Sequence, residues 1–382
     1  MSRDNPRIVK IEWARLEGKR PRHAGSNARL GEHGLVVRPP IARVTLDDGA
    51  TGIGVSRASR EHLASLLGAH LSDAFSAEQG PAERFLPLEF PLWDLAAKRA
   101  GRPVYSLAAA KRGKTVQEPF RAPCYDTSLY IDDLHLASDA EGAALIAAEA
   151  REGYERGHRA FKIKVGRGAR HMPLEEGTRR DVAVVRAVRE AVGPQPPIML
   201  DANNGYNLNL AQRVLAETAD CGVFWLEEAF HEDPILYRGL REWLDKEGLP
   251  TLIADGEGQA SPNLMDWARE GIVQVVQYDI ISPGFTRWLE IGAQLDAWRA
   301  RSAPHHYGGL YGNYVSGHLA GAIERYTFAE WDEATAPGLD APGYRVQEGY
   351  VHIPPTPGFG LVLDDAVFRR AVEADGFVLL AE

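Results

Sequence analysis

Cysteine is almost absent from this chain, which has only Cys124 and Cys221 among 382 residues. Two cysteines argue against a disulfide-stabilised secreted fold, and a reducing cytoplasm is expected. A continuous run of about 18 apolar residues is also missing, so no transmembrane helix is expected. The N-terminal stretch that begins at Met1 lacks the apolar core of a signal peptide.

An excess of positive charge is missing too. The formal net charge is −10 at pH 7, whereas a general nucleic-acid binder would be basic, so no nucleic-acid partner is expected. Apolar residues make up 45% of the chain and charged residues 25%, which is ordinary for a globular protein. The length allows two domains with sizeable cores.

Seven short apolar runs end in ionisable residues between positions 161 and 331. Successive members follow at intervals of roughly 30 residues, the length of a βα unit, and the gaps are helix-like. In a parallel β/α barrel the C-terminal ends of the strands meet at one mouth, where active sites lie. The pattern therefore predicts that seven side chains face one pocket: Lys164, Asp201, Glu227, Glu257, Asp279, His305 and Glu330.

The βα rhythm divides the chain into three parts. Residues 1–121 combine strand-like alternation with helical patterns, which predicts an α+β unit. The barrel is expected over residues 122–336, and the Pro- and Gly-rich tail 337–382 lacks its rhythm. Within the first part, residues 18–29 are basic and punctuated by Gly and Pro, so a loop is predicted there.

Asp201, Glu227 and Glu257 place three carboxylates on consecutive strand ends. Three such groups in one pocket would repel one another unless a cation lay between them. An all-oxygen set with room for water suits Mg²⁺. The alternative, solvated loop carboxylates, does not explain why all three follow the βα period. Asp255 competes with Glu257 for the third position, because both would point to the same side of a regular strand.

Acid and base candidates occupy the remaining strand ends. Lys162 and Lys164 share one face of their strand, and neighbouring ammonium groups lower each other's pKa, which can make one of them a base. Asp279 could hydrogen-bond His305 and fix its tautomer. Glu330, if protonated, could donate a hydrogen bond to a substrate. Surface lysines and a structural histidine are the alternatives for these residues.

In combination, these residues resemble the mandelate-racemase group of the enolase superfamily. The resemblance rests on Lys162-x-Lys164, Asp201-x-Asn203, Trp225-Leu226-Glu227-Glu228, Gly256-Glu257, Asp279, His305 and Glu330. Outside the barrel, the segments 91–98 and 357–360 look like the family's capping-domain helix and closing motif. Ala229 departs from the family's usual proline, and Pro283-Gly284 replace a common pair of glycines.

The resemblance implies a modified (β/α)₇β barrel of the TIM type. An α+β capping domain would be formed by the N-terminal segment together with the C-terminal tail. The cofactor would be Mg²⁺ on Asp201, Glu227 and Glu257, the last preferred because it follows Gly256. The resemblance also implies an even-numbered homo-oligomer.

The chemistry implied by the resemblance is abstraction of the proton α to a carboxylate of a small molecule. Lys164 and His305 would face opposite sides of the α-carbon, and Glu330 would contact the substrate carboxylate. Substrate contacts are also expected from Asn203, Tyr125, Arg20, Arg22 and His23.

Two reactions stay open, and the polar mouth favours the first. One is dehydration of an acid sugar, an aldonate or aldarate, to a 2-keto-3-deoxy acid. The other is two-base racemisation or epimerisation of a 2-hydroxy acid. A non-catalytic sugar-acid or metal binder is disfavoured, because binding alone does not need opposed bases.

Overall fold

The computed structural model describes residues 5–76, 78–258, 260–306 and 309–381. Within this part of the chain, no helix combines the length and the apolar content that a membrane crossing needs.

A small antiparallel sheet with short helices forms the first part. Its strands are β1 (Ile8–Arg15), β2 (Gly18–Ala24), β3 (Gly34–Val37), β4 (Pro40–Leu46), β5 (Thr51–Val55), β6 (Phe75–Ser76) and β7 (Gly80–Pro81). Its helices are α1 (Arg60–Ala64), α2 (Leu71–Ala74), α3 (Glu89–Arg99) and α4 (Val104–Lys111), with a 3₁₀ helix at Glu83–Leu88. β1, β4 and β5 pair antiparallel, and α3 packs on β5.

The loop predicted at 18–29 is wrong for its first half, because β2 pairs antiparallel with β3. Gly18 and Arg20 are buried while Lys19 and Pro21 are exposed, which is the two-residue period of a strand. Pro21 can occupy such a strand because β2 and β3 form a two-stranded sheet, in which proline is tolerated as it is on an edge strand.

In the described residues, eight parallel strands and seven helices form the barrel. The strands are β8 (Arg121–Leu129), β9 (Phe161–Lys164), β10 (Ile198–Asp201), β11 (Val223–Glu227), β12 (Leu252–Asp255), β13 (Val275–Val276), β14 (Arg301–Ser302) and β15 (Ala329–Trp331). The helices are α5 (Asp139–Glu155), α6 (Leu174–Val192), α7 (Leu208–Glu217), α8 (Pro234–Glu247), α9 (Leu264–Arg269), α10 (Phe285–Trp298) and α11 (Tyr311–Ser316), with 3₁₀ helices at Arg167–Ala169, Ala219–Cys221 and Gly317–Gly321.

Strands β8 to β14 pair in chain order, and β15 returns to pair with β8. A bridge from Ser302 to Tyr326 completes the ring between β14 and the segment before β15. Seven βα units followed by a last strand confirm the expected (β/α)₇β barrel.

Local signals explain where the barrel helices begin and end, as α8 shows. The Asp233 carboxylate accepts the N–H groups of Ile235 and Leu236, Pro234 opens the first turn, and Gly248 ends the helix with a φ of 70°. Tyr237, Leu240 and Leu244 of α8 are buried. Such helices are held by one apolar face against the strands.

The tail contains β16 (Leu339–Asp340), β17 (Arg345–Gln347), β18 (Tyr350–His352), β19 (Val362–Leu363), α12 (Asp365–Asp375) and β20 (Phe377–Leu380). β18 pairs antiparallel with β8, whereas β20 pairs antiparallel with β1. The tail thus starts against the barrel and ends in the sheet of the first part, as a capping domain built from both termini requires. The boundaries at 121 and 336 stay a prediction.

Candidate active site

Three carboxylates from neighbouring strand ends meet in the barrel mouth. One oxygen from each of Asp201, Glu227 and Glu257 lies within 4.8 Å of the other two. Asp201 and Glu227 are direct partners in the β10–β11 register and have no exposed surface. Glu257 follows β12, and 16% of its side chain is exposed.

Asp255 is not part of this cluster, although a regular strand would have aimed it the same way as Glu257. The strand ends at Asp255, and Gly256 adopts a φ of 127°, which interrupts the alternation of side chains. Asp255 instead accepts a hydrogen bond from the hydroxyl of Tyr237 on α8. Burial raises the pKa of Asp255 to about 8.

Two buried lysines project from β9 into the carboxylates. Lys162 Nζ lies 2.6 Å from Glu227 Oε1 and 3.3 Å from both Asp201 Oδ2 and Glu330 Oε1. Lys164 donates to Asp201 Oδ2. Burial alone would lower the pKa of Lys162, but Glu227 and Glu330 outweigh it and raise that pKa well above its usual range.

Burial and the repulsion from Lys162 would lower the pKa of Lys164, but Asp201, Glu257 and Glu227 together raise it. Lys162 lowers the pKa of Lys164, as the sequence predicted, but the nearby carboxylates raise that pKa by more. A cation held by those carboxylates would compete with the lysines for their negative charge.

His305 sits on the other side of the carboxylates. Its Nδ1 lies 3.3 Å from Asp279 Oδ2, as the expected dyad requires, and its Nε2 lies 3.0 Å from Glu257 Oε2. Burial would lower the pKa of His305, but Glu257, Glu330 and Asp279 raise it to about 10. The imidazole is therefore protonated at neutral pH in this environment.

Glu330 is held as an ionised acceptor. It accepts hydrogen bonds from Thr127 Oγ1 and from the His306 N–H, both at 2.7 Å. Burial would raise its pKa, but the charges of Lys162 and His305 bring it well below its usual range. These charges favour the ionised form of Glu330, whereas the expected hydrogen-bond donation to a substrate would need its protonated form.

Asn203 lies in the site and Tyr125 lies beneath it. The Asn203 amide donates to Glu228 at 3.0 Å and to Glu257 at 3.1 Å. Tyr125 is fully buried in the barrel interior, where its ring centroid lies 5.4 Å from Lys162 Nζ. Tyr125 is thus placed as part of the floor under the lysines.

Arg20, Arg22 and His23 have partners outside the carboxylate cluster. Arg20 Nε and Nη2 each lie 3.1 Å from Asp332 Oδ2, and both side chains are buried. Arg22 contacts two carboxylates of α5, Glu149 at 3.1 Å and Glu152 at 2.9 Å, while the half-exposed His23 lies 3.6 Å from Glu32. These ion pairs tie the capping segment to its surroundings, and the expected substrate contacts of Arg20, Arg22 and His23 stay a prediction.

Three residues near the mouth had no predicted role. His33, in the loop after β2, stacks edge-on against Tyr130 with centroids 5.0 Å apart, and Lys164 Nζ lies 5.6 Å from the Tyr130 ring. Burial and the nearby Lys164 lower the pKa of His33 to about 4, so its ring is neutral. Tyr130 directly follows β8, the first strand of the barrel. The pocket was predicted from the ends of the other seven strands, and including the end of β8 would have identified Tyr130.

Glu228 is the third such residue and belongs to a wider polar rim. It is buried, and burial together with Glu257 raises its pKa to about 10. With Arg29 and Asn204 it lines a cavity of about 380 Å³ beside Glu257. Tyr307, a polar residue two positions after His305, lies outside the described residues.

The donor set of the cluster fits Mg²⁺. It consists of hard oxygen ligands, and more carboxylates than ammonium groups surround the pocket. Among the described residues, Asn203 Oδ1 is a buried oxygen without a hydrogen-bond partner. Asp201, Glu227 and Glu257 would hold the ion.

Comparison with known proteins agrees with this geometry. The family described as enolase C-terminal domain-like matches residues 145–367. A crystal structure of galacturonate dehydratase from Geobacillus sp. superposes with a TM-score of 0.94 at 49% identity, over 99% of this chain and 100% of that one. The chain belongs to the enolase superfamily.

Other enolase-superfamily relatives are more distant. Arabinonate dehydratase of Saccharolobus solfataricus is 26% identical over 293 residues, 73% of this chain and 69% of the relative. D-Galactarolactone cycloisomerase of Agrobacterium fabrum is 28% identical over 225 residues, and the match spans about half of that protein, 53%. A point mutant of the Geobacillus galacturonate dehydratase was solved in complex with Mg, at 49% identity and a TM-score of 0.94.

Proposed function

We propose that this enolase-superfamily protein is a Mg²⁺-dependent acid-sugar dehydratase. The observation that carries the proposal is the placement of Lys164 and His305. Lys164 contacts Asp201 and His305 contacts Glu257, so an acid/base group stands on either side of the carboxylate cluster. A substrate acid placed at the cluster would have its α-carbon between them.

The reaction needs one C–H bond and one C–O bond to break. Lys164, as the base, takes the proton α to the substrate's carboxylate, and the electron pair of that bond forms an enediolate. The electrons then form a double bond to the β-carbon as its hydroxyl leaves. His305, held protonated beside Asp279, gives the proton that makes the leaving group water. The enol product tautomerises to a 2-keto-3-deoxy acid.

Fixed charges in the pocket favour the enediolate. Lys162, between Glu227 and Glu330, places a buried ammonium group next to the site of charge development. Mg²⁺ bound by the three carboxylates would neutralise the growing negative charge and weaken their hold on the proton of Lys164.

We further propose a hexuronate as the substrate class, in place of the expected aldonate or aldarate. The Geobacillus structure contains D-galacturonate and 5-keto-4-deoxy-D-galacturonate, which differ by loss of water beside the acid group. A second carboxylate on the substrate would need a cationic partner. Arg20 and Arg22 are engaged by Asp332, Glu149 and Glu152, and His33 is neutral. Arg29 lines the cavity beside Glu257 but is exposed, so a substrate with one carboxylate is favoured by these pairings.

An assay of keto-acid formation tests this proposal. The protein with Mg²⁺ is incubated with D-galacturonate, D-glucuronate, D-galactonate and galactarate, and the 2-keto acid is trapped and quantified. Turnover is expected with a uronate and should be lost when the divalent cation is chelated. Inversion at the α-carbon without keto acid would show a racemase, and tight binding without turnover would show a binding protein.

Compartment and assembly are part of the same proposal. Both cysteines, Cys124 and Cys221, are buried and unpaired, as a reducing cytoplasm allows. We propose a cytoplasmic homo-oligomer that binds no nucleic acid. Light scattering coupled to size-exclusion chromatography would measure the subunit number, and a monomer would contradict this part of the proposal.

A further inference from the structure

The two carboxylate oxygens of Glu227 have different partners. Oε1 accepts from Lys162 Nζ at 2.6 Å. Oε2 accepts two hydrogen bonds, from the Trp225 indole N–H at 3.0 Å and from the Gln277 amide at 2.8 Å. Glu227, Trp225 and Gln277 each have no exposed surface, so water does not compete for these bonds.

The donors to Oε2 are held in place by packing. The Trp225 ring meets Tyr125 edge-on at 5.7 Å and lies 5.9 Å from Phe328, within the apolar interior of the barrel. Gln277 directly follows β13, and its backbone N–H donates to the Asp255 carbonyl at 2.8 Å. An oxygen with two lone pairs that meets two fixed donors has little capacity left for a metal ion.

We propose that Trp225 and Gln277 are positioning residues that occupy Oε2 of Glu227, leave only Oε1 for a cation, and thereby favour Mg²⁺ over Ca²⁺. The inference rests on the proposed Mg²⁺ function. Mg²⁺ requires a compact octahedron of six oxygen ligands, with one oxygen from each carboxylate. Ca²⁺ has six to eight oxygen ligands and often binds both oxygens of one carboxylate. A Glu227 restricted to one oxygen therefore matches the smaller ion.

A purely structural role for these residues makes a different prediction. If Trp225 and Gln277 only filled space, their replacement would loosen the pocket and weaken both cations alike. If they occupy Oε2, their replacement frees a second ligand atom that Ca²⁺ can use and Mg²⁺ cannot. The ratio of the two affinities separates these roles, whereas activity alone would not.

Calorimetric titration of Mg²⁺ and Ca²⁺ tests the inference on four proteins: wild type, Gln277→Leu, Trp225→Phe and the control Trp267→Phe. Phe at 225 keeps an aromatic ring but removes the N–H donor and part of the ring volume. The control Trp267→Phe makes the same loss of volume at a buried tryptophan on α9, outside the ring of barrel strands. Circular dichroism checks that each variant folds. Loss of such an outer contact lowers metal affinity by about 10–100-fold, so Mg²⁺ affinity should fall by that amount in the first two variants.

The expected result is that Ca²⁺ affinity falls less than Mg²⁺ affinity or rises, so that the Mg²⁺/Ca²⁺ ratio drops by about tenfold or more, with no change in Trp267→Phe. If Mg²⁺ and Ca²⁺ affinities fall by the same factor, so that their ratio is unchanged, the inference is overturned and the proposed function stays intact. A wild type that binds neither cation would instead overturn the proposed function. If Trp225→Phe does not fold, Gln277→Leu alone decides the ratio.

Discussion

Two buried ionic clusters adjoin at the end of β9, and they are built in opposite ways. The first centres on Arg167, which has no exposed surface. Its guanidinium contacts Asp133 at 2.7 Å and Asp181 at 2.8 Å, and it also donates to the Lys164 carbonyl at 3.3 Å. Arg180 Nη1 lies 3.7 Å from Asp133 Oδ2, so two arginines face two carboxylates. Asp181 also accepts the Tyr206 hydroxyl at 2.9 Å.

The second cluster, in the barrel mouth, is not balanced. Lys162 and Lys164 face four carboxylates there: Asp201, Glu227, Glu257 and Glu330. His305 also lies 3.0 Å from Glu257 Oε2, but Asp279 offsets its charge, so carboxylates still outnumber cations in the mouth. Burial by itself therefore does not distinguish a structural ionic cluster from a functional one. What distinguishes them is whether every group is compensated, because an uncompensated buried charge is stable only if something else binds it.

The largest effect expected from breaking the mouth cluster is on turnover. Lys164→Ala and His305→Asn should each lower turnover by about 10²- to 10⁴-fold, as loss of a positioned acid or base does. The measurement is the keto-acid assay together with deuterium exchange at the α-carbon. Lys246→Ala and His62→Asn, at exposed residues, are the matched controls and should keep full activity. Full activity in both Lys164→Ala and His305→Asn would contradict the two-base arrangement.

Breaking the Arg167 cluster should affect stability instead. Arg167→Met leaves Asp133 and Asp181 buried without their partner, which should cost about 3–5 kcal/mol in the free energy of unfolding. Denaturant unfolding measures this. Arg186→Met, which breaks an exposed pair with Asp220 at 3.0 Å, should have a much smaller effect, because solvent screens exposed ion pairs. Similar small losses in both variants would show that the Arg167 cluster is not a structural anchor.

Denaturant unfolding can also be used to study Glu227, a carboxylate of the mouth cluster. Burial and Asp201 raise its pKa to about 8, so its charged form is disfavoured in the pocket without metal. Glu227→Gln should still lower the stability of the metal-free protein, because the new amide NH₂ would face either Lys162 or the donors Trp225 and Gln277. Mg²⁺ affinity should fall by about 100-fold or more. Unchanged Mg²⁺ affinity would remove Glu227 from the ligand set.

The last prediction concerns the pH dependence of unfolding and His318, a buried histidine whose two ring nitrogens both have hydrogen-bond partners. His318 is fully buried; its Nδ1 accepts the Tyr105 N–H at 2.9 Å, its Nε2 lies 2.8 Å from the Tyr344 hydroxyl, and burial lowers its pKa to about 3. Since an unfolded histidine titrates near 6.5, the unfolded chain binds the extra proton between about pH 6.5 and 3.

Stability from His318 is thus fully present above pH 6.5 and falls with acid, by at most about 1.4 kcal/mol per pH unit. His318→Gln should flatten the pH dependence of unfolding in that window relative to wild type, and His62→Gln at an exposed site should not. Equal slopes in wild type and His318→Gln would show that His318 is charged in the folded protein.

Much of the mouth could be predicted because it depends on local rules. Asp201 and Glu227 end adjacent parallel strands, and the register makes them direct partners. The third ligand could not be chosen from a regular strand, because the choice depends on the φ of one residue, Gly256. The ion pair of Arg20 could not be predicted, because its partner Asp332 lies 312 positions further along the chain.

By itself, the sequence determined that βα units close into a barrel and that Lys164, Asp201, Glu227, His305 and Glu330 share its mouth. Strand period and chain direction follow from backbone geometry, so both can be read without knowing any distant contact. Only the tertiary structure decided that Arg20 is compensated by Asp332 and that Oε2 of Glu227 is taken by Trp225 and Gln277. In a buried pocket, the state of each charge depends on every group around it, and those groups come from strands far apart in the chain.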